Sequence, residues 1–128
     1  MSEKYIYTDV KYIKNYDGDT IDFLISKEFD FGFKINVKAS YSIKVRLFGI
    51  DTPEIRGGSI ESKKIAIKAK DFVETALTVA DDIVLHTIKD KGGKFGRYLA
   101  EVFYEIGEKR YNLSDELVKG GMAVVREY

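Results

Sequence analysis

Ile35-Asn36-Val37-Lys38-Ala39-Ser40-Tyr41-Ser42-Ile43-Lys44-Val45-Arg46-Leu47 alternates apolar and polar residues at every step, which is the period of a β-strand with one buried and one wet face. The alternation places Arg46 on the wet face. It breaks at Phe48-Gly49-Ile50, and Thr52-Pro53 cannot extend a ladder because proline has no N–H. Asp51 and Glu54 are therefore expected on a turn just beyond the strand end.

Upstream, Tyr5 to Tyr16 is rich in Tyr, Ile and Val. Asn15-Tyr16-Asp17-Gly18-Asp19 then supplies turn residues before Thr20-Ile21-Asp22-Phe23-Leu24-Ile25 resumes a strand pattern, a hairpin signal. Ser26 to Gly32 reads as a connection into the long alternating strand, so three strands form a meander. Downstream, Ile65, Ala69, Phe72, Val73, Ala76, Leu77 and Ala80 recur at three- and four-residue spacings among Lys and acidic residues. That is an amphipathic helix with Ser59 as its N-cap and Glu61 in its first turn.

Ile83 to Ile88 is a short β-branched run read as a fourth strand. Asp90 to Arg97 is a glycine-rich, charged loop feeding a fifth over Tyr98 to Tyr104, and Glu105 to Arg110 is expected to turn. Asn112 or Ser114 caps a short helix that Gly120-Gly121 stops, and Met122 to Val125 reads as extended. Short turns between strands favour a closed or partly closed antiparallel barrel with helices, mainly β, over a parallel sheet that needs a crossover at each step.

At 128 residues the chain is expected to form one domain, residues 1–128, around a single core. Cysteine is absent, so a metal site has to use oxygen ligands or the lone His86, and hard cations are the candidates. Lys plus Arg equals Asp plus Glu at 21 each, so no global field draws nucleic acid, and any such binding must be local. Membrane association is not expected, since no apolar run approaches the length of a span and the first ten residues lack a signal-peptide core. A cytoplasmic location is expected unless the chain is a mature or excised domain.

Each polar feature has an ordinary explanation alone. Asp17-Gly18-Asp19-Thr20 is a tight turn in which Asp-Gly favours positive φ; Thr52-Pro53-Glu54 is a helix start; Arg46 and Arg97 are surface cations; His86 is structural. Together they meet the demands of phosphodiester hydrolysis. Asp19 and Asp51, on separate turns, can hold a hard cation, and Glu54 is free to take a proton from water. Two arginines supply planar forks that clamp phosphate and oppose its growing charge.

Asp17-Gly18-Asp19-Thr20, Val45 to Glu54, and Lys94-Phe95-Gly96-Arg97 with Leu99-Ala100 resemble, in order, the three signatures of the staphylococcal nuclease (thermonuclease) family. Asn112-Leu113 through Gly120-Gly121-Met122-Ala123 resembles a further segment of it, and the similarity runs from about Tyr5 to Val125. The resemblance implies a five-stranded OB-fold barrel, here lacking the third C-terminal helix, and calcium-dependent cleavage of DNA and RNA leaving 3′-phosphate ends. It implies Asp19, Asp51 and the Thr52 carbonyl as ligands of one calcium ion and Glu54 as the residue that orients or deprotonates water. Arg46 and Arg97 would then be the phosphate-binding catalytic groups.

Phe95, Lys94 and Tyr128 are the expected substrate contacts, with single-stranded DNA or RNA favoured and a monomer expected. Lys91 and Arg56 are further cations near the substrate path. Ser26 to Lys44 is longer than the corresponding turn of secreted members, which suggests an extended hairpin projecting from the barrel. Phe95 stands where a tyrosine is frequent, keeping a stacking face without the hydroxyl. The alternative from another class is a silent module of the same fold that binds RNA or methylated peptides. Retention of Asp19, Arg46, Asp51, Glu54 and Arg97 speaks against it.

Overall fold

A computed structural model describes residues 4–55, 58–88 and 97–127, and the side chains of all of these except Lys4 and Arg97. The long alternating stretch is β4 (Asn36–Leu47), paired antiparallel with β3 (Thr20–Asp30), which pairs with β2 (Val10–Asn15). The expected meander is present. The strand β3 runs on through Asp30 where a connection was expected, because its cross-strand partners continue without a register break from Thr20↔Arg46 to Asp30↔Asn36.

The remaining strands are β1 (Lys4–Tyr7), β5 (Ile50–Asp51), β6 (Asp82–Ile88), β7 (Arg97–Ile106), β8 (Lys109–Asn112) and β9 (Val124–Val125). The main sheet follows the order β1-β6-β7-β4-β3-β2, with β8 on β7 and a separate β5·β9 pair. Thr8 and Asp9 join β1 to β2 at opposite ends of this path, so one chain segment serves both edges of a barrel whose hydrogen-bonded path stays open. Counting that segment once, the barrel is five-stranded as expected, with β5, β8 and β9 added.

Two features differ from the sequence reading. First, β4 and β7 run parallel, since the helix α1 (Ile60–Val79) and β6 between them supply the long crossover that a parallel pair requires. Second, β7 extends to Ile106 and turns at Gly107, φ +64°, into β8, where only a turn was expected.

The core is the inward face of β3, β4, β6 and β7, with Ile21, Phe23, Val45, Leu47, Leu85 and Val102 fully buried. Each such side chain contributes roughly 1.5–3 kcal/mol relative to exposure. The helix α1 starts at Ser59, whose hydroxyl accepts from the Ser62 N–H, and it closes one end with Ala66, Ala69, Val73, Ala76 and Leu77. Ile65, expected in that stripe, is exposed, and Ala66 is buried instead. The second helix, α2 (Leu113–Lys119), is capped by Asn112 and buries Leu113 and Leu117.

Only the lower half of β4 is core. Residues 36–42 are exposed on both faces, so the upper β3–β4 ribbon projects from the barrel as the sequence suggested. At its tip Gly32, Phe33 and Lys34 all take positive φ (83°, 53° and 63°), a region that costs non-glycine residues roughly 1–2 kcal/mol each.

Gly18 is needed for close approach rather than for φ. It does not take a positive φ, but an added Cβ would lie 2.7 Å from Ala69 Cβ and 2.8 Å from Thr52 Cγ2. Small residues on α1 therefore let the helix, the β2–β3 turn and the chain after β5 meet. Gly18→Ala should destabilise the protein by about 1–3 kcal/mol through overpacking, read as a lower denaturant midpoint at unchanged slope.

Candidate active site

The β2–β3 turn is built by side chains that satisfy its backbone. The Asp17 carboxylate accepts from the N–H groups of Asp19 (3.0 Å) and Thr20 (2.8 Å). Asn15 donates to the carbonyls of Asp17 (2.9 Å) and Lys70 (3.0 Å), and Tyr12 donates to Asn15. The Lys70 contact ties the turn to α1. Asp19 is thereby held at the sheet edge with its carbonyl accepting from the Leu47 N–H at 2.9 Å.

The second carboxylate is placed by different means. Gly49, at φ +86°, reverses the chain after β4, and β5 returns to pair Ile50 with Val125 and Asp51 with Val124. Asp51 thus depends on residues far downstream. The Thr52 N–H then donates to Asp19 Oδ2 at 3.2 Å, which joins the two turns directly.

Arg46 lies between them. Its Nη1 is 3.2 Å from Asp19 Oδ2 and donates to the carbonyls of Leu47 (3.1 Å) and Ile50 (3.0 Å), while Nη2 donates to Asp51 Oδ1. Only 12% of its side chain is exposed, so the expectation of a wet-face arginine is corrected. The outward face of β4 at this point is roofed by the β5 turn. One guanidinium satisfies two carboxylates and two carbonyls, geometry that its planar fork permits and an ammonium would not.

The two acids differ in setting. The Asp19 side chain is 11% exposed and that of Asp51 is 47% exposed. Burial, reinforced by the neighbouring Asp17 carboxylate, raises the Asp19 pKa above the ordinary carboxylate value, against the opposing pull of Arg46 and the Thr52 N–H. Thr20 Oγ1 also donates to Asp19 at 3.3 Å. The Thr52 hydroxyl is buried with no hydrogen-bond partner.

A fourth charge was not anticipated. Arg126, just past β9, donates its backbone N–H to the Gly49 carbonyl (2.8 Å) and holds Nη1 3.8 Å from Asp51 Oδ1. Its side chain is 45% exposed. The sequence signal was an arginine next to a β-run, which became informative only once β9 was seen to pair with β5.

Glu54 is exposed, three residues beyond Asp51. Arg97 opens β7 with its backbone opposite Lys44, two positions along the neighbouring strand from Arg46, and its side chain lies outside the described residues. So do Arg56, Lys91, Lys94, Phe95 and Tyr128. Beside Asp51, Thr52 and Pro53, a mostly apolar cavity of about 300 Å³ is closed by Ile65 and residues 121–124. His86 packs its ring 4.8 Å from that of Phe103.

The raised pKa of Asp19 has a definite sign in stability. On acidification the native state takes up the proton before the unfolded chain does, so the cost of this buried charge is present near neutral pH and fades as pH falls. Asp19→Asn keeps an acceptor for the Thr52 N–H and leaves Arg46 paired with Asp51. In chelator it should raise the denaturant midpoint near neutral pH, with the gain shrinking toward the ordinary carboxylate range.

Comparison with known proteins agrees with this architecture. A family model described as staphylococcal nuclease homologue matches residues 44–128. The match takes in Arg46, Asp51, Glu54 and Arg97 and begins downstream of Asp19, whose association with Arg46 and the β5 turn rests on the geometry above. An uncharacterized protein of Methanocaldococcus jannaschii is 33% identical over 134 residues, covering 90% of this chain and 58% of that protein, so the chain spans a little over half the length of that relative. With a family model that covers about two-thirds of its residues and a mostly β fold consistent with an OB-fold barrel, the chain belongs to the staphylococcal nuclease homologue family.

Proposed function

We propose that the protein is a calcium-dependent phosphodiesterase that hydrolyses DNA and RNA with little sequence specificity and leaves 3′-phosphate ends. The observation that carries this reading is the convergence of Asp19 and Asp51, from separate turns, on the single guanidinium of Arg46. A structural role alone gives no reason to gather two carboxylates at a raised-pKa site roofed by a short turn.

The donor set fits a hard cation. Among the described residues no group of three or more His, Cys, Asp or Glu side chains converges to hold a metal. The proposed protein ligands are the Asp19 and Asp51 carboxylates and the Thr52 backbone carbonyl, a set that would leave several positions to water and substrate, as calcium tolerates. Thr52 also carries a buried hydroxyl with no hydrogen-bond partner. Bound there, calcium would supply positive charge to phosphate oxygens in the transition state.

The chain's own residues do the rest. Glu54 takes the proton of the attacking water as the new O–P bond forms and the bond from phosphorus to the 5′-oxygen breaks, and the departing 5′-oxygen takes a proton from solvent water to leave as a hydroxyl. Arg97 opposes the charge on the equatorial oxygens. Arg46 has Nη1 and Nη2 engaged with Asp19, Asp51 and two carbonyls in this state; freed from the two acids, its fork would clamp phosphate oxygens. Arg126, more exposed and beside Asp51, adds a third guanidinium on the solvent side. The neutral balance of 21 cations and 21 anions leaves substrate attraction to this cluster, so single strands that can bend into it are favoured.

Cleavage of single-stranded DNA is expected with calcium and is lost with chelator, and analysis of product ends should find 3′-phosphate. Glu54→Gln and Arg97→Ala should each lower kcat by about 10²- to 10⁴-fold. Absence of calcium-stimulated cleavage, or full activity in both variants, rejects the assignment. Arg126→Ala should weaken substrate binding with little change in kcat and lower the slope of log affinity against log salt by about 1.

A further inference from the structure

The β3–β4 ribbon beyond the barrel has two chemically distinct faces. Register places Phe29 and Val37 opposite each other, with Lys27↔Ala39 and Ile25↔Tyr41 below them, all on the side that lower down is the buried core face of Ile25 and Ile43. The Phe31 N–H donates to the Ile35 carbonyl, which carries the alternation to the tip. Among the described residues, this face continues past the end of the barrel with its side chains exposed from Phe29 to Val37. The opposite face holds Glu28, Asp30, Asn36, Lys38 and Ser40.

Phe29, Phe31, Phe33, Ile35, Val37 and Tyr41 are all exposed, Phe33 at 96%. A two-stranded ribbon is at best marginally stable in water on its own. Its tip also keeps Phe33 and Lys34 in left-handed conformations where Asn-Gly would be relaxed. A bulky aromatic retained there does not serve the turn. Its solvent-facing ring is available for an intermolecular contact.

Charge selects the occupant. On the apolar face Lys27 alone carries a charge, and its Nζ lies 5.3 Å from the centre of the Tyr7 ring. A nucleic-acid strand or an anionic membrane would need a line of cations that this face lacks. Arg46 and Thr20, on the substrate side, belong to the other face of the same sheet. A face that is aliphatic and aromatic apart from Lys27, whose ammonium lies against the Tyr7 ring at the base of the ribbon, meets its like with little opposing charge, as an isologous contact requires.

Area agrees. The six side chains expose on the order of 700 Å², so pairing two such faces would bury about 1,400 Å², within the range of specific interfaces at roughly 1,200–2,000 Å². We propose that the apolar face of the β3–β4 ribbon packs against the same face of a second copy of this chain, giving a two-fold dimer in place of the expected monomer. The proposal does not depend on the nuclease reading.

The test is sedimentation velocity of the full chain across a dilution series into the micromolar range. The wild type should show a concentration-dependent dimer. Phe31→Glu with Val37→Glu should be monomeric with an unchanged far-UV circular dichroism spectrum, because both positions lie outside the barrel. Asn36→Glu with Ser40→Glu, on the polar face, should remain dimeric. A monomeric wild type, a dimer that survives the apolar-face variant, or loss of the dimer in both variants overturns the proposal. A wild-type monomer that binds oligothymidine, or phosphatidylcholine–phosphatidylglycerol vesicles, and loses that binding in the apolar-face variant overturns it and assigns the face to that ligand.

Discussion

One guanidinium holds the candidate site together. Arg46 lies where the β2–β3 turn, the end of β4 and the short β5 meet, and it bonds to a group from each. The sheltered carboxylate of Asp19 and the half-exposed one of Asp51 repel each other, and a shared cation is what makes their proximity tolerable. Removing Arg46 would strand the buried Asp19 charge, a loss that typically costs about 3–5 kcal/mol, whereas Asp19→Asn leaves Arg46 paired with Asp51. Arg46 therefore serves as an internal counter-ion to both acids.

That arrangement explains why Asp19 is costly. Burial and Asp17 oppose its ionisation more than Arg46 and the Thr52 N–H favour it, and no packing benefit requires a carboxylate at that point. Local electrostatics that burden the fold are characteristic of sites kept for chemistry. The neutral total charge accords with this, because attraction of a polyanion then falls to a few arginines whose positions are fixed by β-pairing.

Much of this was legible in the residues. The two-residue period of β4, the Ser59 cap of α1 and the Asn112 cap of α2 are local signals, and local signals survive folding. What the sequence left undetermined was set by tertiary geometry. Alternation marked Arg46 as outward-facing, which it is, but no local period reveals that β5 folds over it. The helical stripe was read through Ile65 when Ala66 is the buried residue, because which flank of an amphipathic helix meets the barrel is decided by docking, not by the period. The parallel β4·β7 pair and the strand β8 escaped notice since partner choice is non-local. Arg126 had no motif, and only the β5·β9 pairing gives it meaning.

The β5·β9 pair also bears on the order in which the molecule assembles. The β2–β3–β4 meander needs only neighbouring residues to meet, so Asp19 and Arg46 can come together early. Pairing of Lys4 with Ile88, of Lys44 with Arg97, and of Asp51 with Val124 closes long loops, and such contacts form late. Asp51 is thus the last of the clustered acids to be fixed. During synthesis the nascent chain carries a half-built cluster, and the pair of carboxylates is complete only once the segment around Val124 has emerged and docked.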